Sequence, residues 1–124
     1  TNVETWVSFT AGPNADLLDP ETIRYGAEEA IALGAKAVLV NCVPASKTSR
    51  YLEALRGLSI PFGAYANAGH PDEGLGWQSN EDGHLRYADY AETWIDMGAT
   101  IIGSCCGTGP KHIHALHQRF CACR

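Results

Sequence analysis

The sequence has no apolar run close to the roughly 20 residues that a membrane-spanning helix needs. It has no lysine or arginine cluster: nine basic residues are scattered among fourteen acidic ones, for a formal net charge of −5. Nucleic acid and anionic membrane surfaces recruit a basic face, so both are excluded as partners. The first residues lack the charged-then-apolar order of a secretory signal. No C-x-x-C pair occurs, which removes the usual sequence support for a redox module. There is no low-complexity segment and no evident linker. At 124 residues the chain has room for a single domain, 1–124. These absences point to a cytoplasmic setting, where thiols stay reduced. Thr1 rather than Met opens the chain, which fits a fragment of a longer protein.

What is present is cysteine, five of them, an odd number, with Cys105 and Cys106 adjacent. Sequence neighbours rarely form a disulfide, and in a reducing compartment such residues read as metal ligands or reactive thiols.

Around them the chain alternates between two periodicities. Residues 3–10 form a short β-prone run. Asp19-Pro20-Glu21 then gives a helix start, with a side-chain acceptor at the N-cap and proline in the first turn. Ile23, Ala27, Ala30 and Ile31 share one face of that helix, and Gly34 ends it. Residues 35–40 are nearly all apolar, as in a strand covered on both faces, and Asn41-Cys42-Val43-Pro44 is expected to break it. A helix is predicted over 46–55, with Thr48, Leu52 and Leu55 on one side. A third strand spans 60–66, and a Gly-rich loop runs to about 83. Leu85, Ala88, Ala91 and Ile95 mark the next helix, capped by Gly98. A fourth strand covers 99–102, residues 103–109 form a Gly- and Cys-rich loop, and Pro110 opens a last helix in which Ile113, Leu116 and Phe120 share a face. Four β-α units in series imply an α/β fold with a parallel sheet and right-handed crossovers. Two architectures fit: a small open sheet, or half of a (β/α)₈ barrel, which takes about 250 residues when complete.

In either architecture functional residues collect at the C-terminal ends of the strands. Cys42 follows the second strand and Cys105-Cys106 follow the fourth, so the fold brings all three to one rim. Taken singly, Cys42 reads as a small buried hydrophobe, and the adjacent pair as a redox couple. Together, three thiolates make the ligand set of a catalytic zinc site with one position left open for an incoming thiol. Gly103 and Gly107 flank the pair and permit a sharp turn.

The wider sequence context resembles a known family. Val40-Asn41-Cys42-Val43-Pro44 is similar to the NC-x-P segment of the homocysteine S-methyltransferases. Tyr65-Ala66-Asn67-Ala68-Gly69 resembles their YPN-small-G segment, with Ala66 in place of proline. Residues 102–110, followed by His112-Ile113, resemble their IGGCCGTTP-x-HI segment, with Ser104 in place of glycine. Val7-Ser8-Phe9-Thr10 and Trp94 are also similar to family features. The resemblance implies strands 5 to 8 of a (β/α)₈ barrel, zinc held by Cys42, Cys105 and Cys106, and a substrate pocket lined by Asn67 and Tyr65. It implies methyl transfer from a sulfonium, betaine or folate donor to homocysteine, giving methionine. The family's N-terminal D-G-(A/G) segment and the acidic residue that helps hold the homocysteine amine are not found.

Half a barrel would leave two sheet edges and one face open, so a homo-oligomer or a longer chain is expected. The alternative function is a non-catalytic half-barrel, inactive without its partner half. Elsewhere the plain readings prevail. His112, His114 and His117 are expected on a solvated helix face, Cys121 and Cys123 as free terminal thiols, and Asp72, Glu73, Glu81 and Asp82 as solubilising loop residues. Asp89, Glu92 and Asp96 read as the wet face of their helix. For His70 a place in the pocket is the minor reading, and Trp77 is either a lid or simple packing.

Overall fold

A computed structural model of the chain describes residues 2–77 and 81–121. Cys123 lies outside the described residues. The element order is β1 (Trp6–Phe9), α1 (Pro20–Ala32), β2 (Ala37–Pro44), α2 (Ala45–Leu55), β3 (Phe62–Asn67), a 3-10 turn at Pro71–Glu73, α3 (Gly83–Asp96), β4 (Ile101–Ser104) and α4 (Pro110–Phe120). All strands are parallel, and their order in the sheet is the order in the chain, β1-β2-β3-β4.

That order decides between the two architectures. A doubly wound sheet reverses its strand order, so its helices fall on both faces. Here every crossover runs the same way, and right-handed connections put all four helices on one face. Consecutive helices pack side by side, α1 on α2, α2 on α3 and α3 on α4. This is the arrangement of a barrel wall.

The core lies between the sheet and this helical layer. Val38, Val40, Ala64 and Ala66 from the strands meet Ile23, Ala27, Leu52, Leu55, Tyr87, Ala88, Ala91 and Trp94 from the helices. Asp19 caps α1 as its sequence indicates, its carboxylate accepting from the Thr22 amide at 2.7 Å. Two helix faces differ from expectation. On α3 the buried residues are Tyr87, Ala88, Ala91 and Trp94, while Leu85 is exposed. On α4 the buried ones are His112, Ala115 and Leu116, while Ile113 is exposed. Both observed faces obey the helical period as well as the expected ones do, so periodicity alone left the choice open.

Candidate metal centre

Cys42 sits inside β2 rather than beyond it. The expected break at residues 41–44 is an irregularity within the strand: Asn41 pairs with Tyr65, but Pro44 pairs with Asn67, so β2 spends three steps where β3 spends two. Cys42 absorbs the difference with φ at +52°, a left-handed conformation that a non-glycine residue adopts at a cost. Asn67 holds it there. Its side-chain amide donates to the Cys42 carbonyl at 2.8 Å and to the Pro13 carbonyl at 3.2 Å, while its oxygen accepts from the Gly69 amide at 2.7 Å.

Cys105 and Cys106 leave the end of β4 on a loop tied to the end of β3. The Cys105 amide donates to the Ala66 carbonyl and the Ala68 amide to the Cys106 carbonyl, each at 2.9 Å. The Thr108 hydroxyl closes the turn on the Cys105 carbonyl at 2.6 Å. Gly107 has φ +76° and lies under the Trp77 ring, so it needs glycine on two counts. Gly103 does not make the turn. It is the third residue of β4, and what its missing side chain provides is room for Tyr65, whose Cβ is 3.2 Å from where a Cβ on Gly103 would stand.

These two routes bring the three sulfurs together. Cys42 Sγ is 3.4 Å from Cys106 Sγ, Cys105 Sγ is 3.8 Å from Cys106 Sγ, and all three lie within 4.8 Å of one another. A tetrahedral zinc with sulfurs at about 2.3 Å requires them to be about 3.8 Å apart, so the donor set fits that ion in both chemistry and spacing. The protonation pattern agrees with the need for a cation. At Cys42 burial works against ionisation, but hydrogen bonds from Cys105, Cys106 and Asn67 outweigh it and lower the thiol below its ordinary value. At Cys105 burial and the neighbouring Cys42 act together and push the thiol up to about 12.

Beside the sulfurs opens a cavity of about 710 Å³, lined by Cys42, Cys106, Asn67, Lys47, Glu73 and Trp77 among others. His70 also reaches it, although its ring is paired with Asp72 at 2.7 Å. Trp77 is packed rather than free. Its indole N–H donates to the Gly69 carbonyl at 2.6 Å, while about half of its surface stays exposed. Tyr65 is not among the residues around this cavity; it stands half-buried on the sheet face away from the helices, level with Asn41 and Gly103. His112 corrects the sequence reading. It is buried, with Nδ1 accepting from the Gly109 amide at 3.0 Å and Nε2 2.6 Å from the Leu75 carbonyl. His114 and His117 are exposed.

The sequence model of the homocysteine S-methyltransferase family matches residues 1–120. The chain belongs to that family. It is 32% identical over 123 residues to a homocysteine S-methyltransferase of Escherichia coli, covering 92% of this chain and 38% of that protein. It is 30% identical over 129 residues to a selenocysteine Se-methyltransferase of Brassica oleracea, covering 93% and 35%. The crystal structure of the homocysteine methyltransferase MmuM from E. coli, in an oxidised form, superposes with a TM-score of 0.61 at 30% identity over 82% of this chain and 33% of that one. The chain thus spans little more than a third of the length of the homocysteine S-methyltransferases it matches. Among the described residues no helix is long and apolar enough to cross a membrane.

Lys47, Glu73, Tyr87 and His112 are the residues at or under the site that sequence reasoning did not assign to it. For the first two no signal exists, because an exposed lysine and a loop glutamate look alike wherever they fall. For Tyr87 and His112 the helical period carried the signal, and the competing faces hid it.

Proposed function

We propose that this chain is the thiol-activating part of a zinc-dependent homocysteine S-methyltransferase, corresponding to strands 5 to 8 of a (β/α)₈ barrel and working in a reducing compartment such as the cytoplasm. The observation that carries the proposal is the trio of sulfurs from Cys42, Cys105 and Cys106, gathered from two strand ends at the mouth of a cavity. The family match and the one-sided helical layer support it.

Cys42, Cys105 and Cys106 would hold the zinc, and its positive charge would keep an incoming thiol in the nucleophilic thiolate form. The chain's own residues do the rest. Asn67 fixes the backbone of Cys42 and lines the cavity, and Trp77 and Glu73 wall its far side. In the transfer, a sulfur–carbon bond forms to the acceptor thiol as the methyl–donor bond breaks, the thiol proton goes to solvent, and the bond's electron pair leaves with the donor. A cationic donor departs neutral, so no acid is needed beside it. Tyr65 lies on the sheet face away from the helices, which is the interior of the proposed barrel.

The test is zinc content per chain by mass spectrometry, native and with Cys42→Ala, followed by methyl transfer to homocysteine with sulfonium, betaine and folate donors. One zinc per chain, lost in the variant, is expected. A native protein that holds no zinc when it is supplied under reducing conditions sinks the reading. The short span relative to the relatives favours a second reading, a half-barrel without activity of its own. It predicts zinc binding without transfer until the remaining part is added.

A further inference from the structure

The segment 103–109 that carries Cys105 and Cys106 runs from the last two residues of β4 to the N-cap of α4, and its two ends are held by a pair of buried polar side chains on two different helices. Tyr87 of α3 is fully buried, yet its hydroxyl lies in the sheet. The Ala66 amide donates to it at 3.0 Å, and the hydroxyl is 2.8 Å from the Gly103 carbonyl and 3.0 Å from the Ala66 carbonyl. A hydroxyl has one proton to give. That proton serves the Gly103 or the Ala66 carbonyl, and the shorter contact is to Gly103. With Ala66 level with Ser104, a parallel ladder brings the Ala66 amide to the Gly103 carbonyl. The tyrosine hydroxyl therefore bonds to both groups of the rung that precedes the cysteines.

His112 of α4 holds the other end. The Gly109 amide donates to Nδ1 at 3.0 Å, which fixes the proton on Nε2, and Nε2–H donates to the Leu75 carbonyl at 2.6 Å. Leu75 precedes Gly76, whose backbone passes so close to the Gly107 carbonyl that a side chain there would collide with it. The histidine thus binds the cysteine loop to the loop that carries Trp77. The two rings stack edge to face, with centroids 5.6 Å apart at 85°. Their contact makes one unit of the two grips.

We propose that Tyr87 and His112 are positioning residues for the metal centre, setting the spacing of Cys105 and Cys106 against Cys42 through the two ends of their loop. This rests on the zinc reading above. The chain offers an internal control, because Tyr51 is an equally buried tyrosine whose hydroxyl also meets backbone carbonyls, 3.2 Å from that of Ala15 and 3.0 Å from that of Leu18, and bonds to neither end of the cysteine segment.

The experiment compares Tyr87→Phe, His112→Gln and Tyr51→Phe in the intact protein. Zinc affinity is read by chelator competition, and ligand geometry by the visible and thiolate-to-metal bands of the cobalt(II) form. Tyr87→Phe and His112→Gln are expected to weaken zinc binding about 10- to 100-fold, as loss of groups that orient ligands does, and to change the cobalt(II) bands. Tyr51→Phe is expected to lower stability while leaving affinity and spectrum as in the native protein. Native affinity and an unchanged spectrum in Tyr87→Phe overturn the proposal, and so does a Tyr51→Phe that weakens zinc equally, since the effect would then be one of general stability. A native protein without zinc overturns the functional reading as well, so the two failures are distinguishable.

Discussion

The two faces of the sheet are built to different standards. On the helical face, Val38, Val40, Ala64 and Ala66 are sealed under four helices, and Phe9 packs against Gly26 of α1. On the other face stand Trp6 and Ser8, both exposed, with Asn41 and Tyr65 half-buried. Ser8 and Asn41 bond to each other at 2.8 Å across the strands. Leu39 and Ala37 are shielded there but take no part in the core cluster. None of the four helices lies on this side, although Ala37 and Leu39 are only 1% and 6% exposed. A parallel sheet normally has both faces covered, because its crossovers bring helices or a closed interior. The contrast is what a barrel wall looks like without the rest of its barrel: the outside is complete and the inside is waiting for cover.

The largest effect expected from this contrast lies on the sealed face. Trp94 is fully buried and packs edge-on against Tyr87, with ring centroids 5.6 Å apart. Trp94→Ala should cost about 3–5 kcal/mol in urea unfolding, the range for deleting a large aromatic from a core. Trp94→Phe should cost far less. The indole N–H has no hydrogen-bond partner among the described residues, so phenylalanine removes a buried donor along with the volume. A loss under about 1.5 kcal/mol in the alanine variant would mean that the helical face is not the tightly packed one, since core truncations of this size cost more.

At the rim between the two faces the expected effect is a pH dependence. Zinc requires thiolates, so it competes with protons, and affinity rises with pH for every proton that must leave. Hydrogen bonds lower Cys42 in spite of its burial, so it gives up its proton at lower pH than Cys105 does. Cys105 is pushed up to about 12, so its proton is still present through neutral and mildly alkaline conditions. Apparent zinc affinity should therefore climb about tenfold per pH unit for that proton across roughly pH 7 to 9. Chelator competition at a series of pH values checks it. A flat profile above pH 8 would mean that Cys105 is already ionised or is not a ligand.

Much of this was legible in the sequence. The four β-α units and the Asp19-Pro20 helix start are local signals, and local structure agrees with them. Gathering Cys42 with Cys105 and Cys106 needed only the rule that parallel strands end on one rim. What remained hidden depends on contacts between elements. The φ of Cys42 follows from a slip between β2 and β3, and no run of residues within β2 announces it. Asn67 read as a pocket residue, but both of its amide hydrogens are given to backbone carbonyls, one of them that of Cys42. His112 read as solvated because Ile113 offered an equally periodic apolar face, and its burial is decided by the carbonyl of Leu75, 37 residues away.

The smallest effect, and the sharpest test of the contrast, lies on the open face. Trp6 is 53% exposed, on an edge strand, and its indole N–H donates to Glu4 at 2.7 Å, an arrangement that leaves the ring face bare. An exposed aromatic beside an unpaired strand edge favours association. Trp6→Ser removes the ring without opening a cavity, so the unfolding free energy of the chain should change by no more than about 0.5 kcal/mol. Self-association measured by light scattering should fall. The same substitution in a protein whose open face is covered deletes a buried aromatic instead, and the cost should approach the roughly 3–5 kcal/mol expected at Trp94. Equal costs at Trp6 and Trp94 in this chain would mean that a second copy already closes the inner face, and the difference between the two sides of the sheet would vanish.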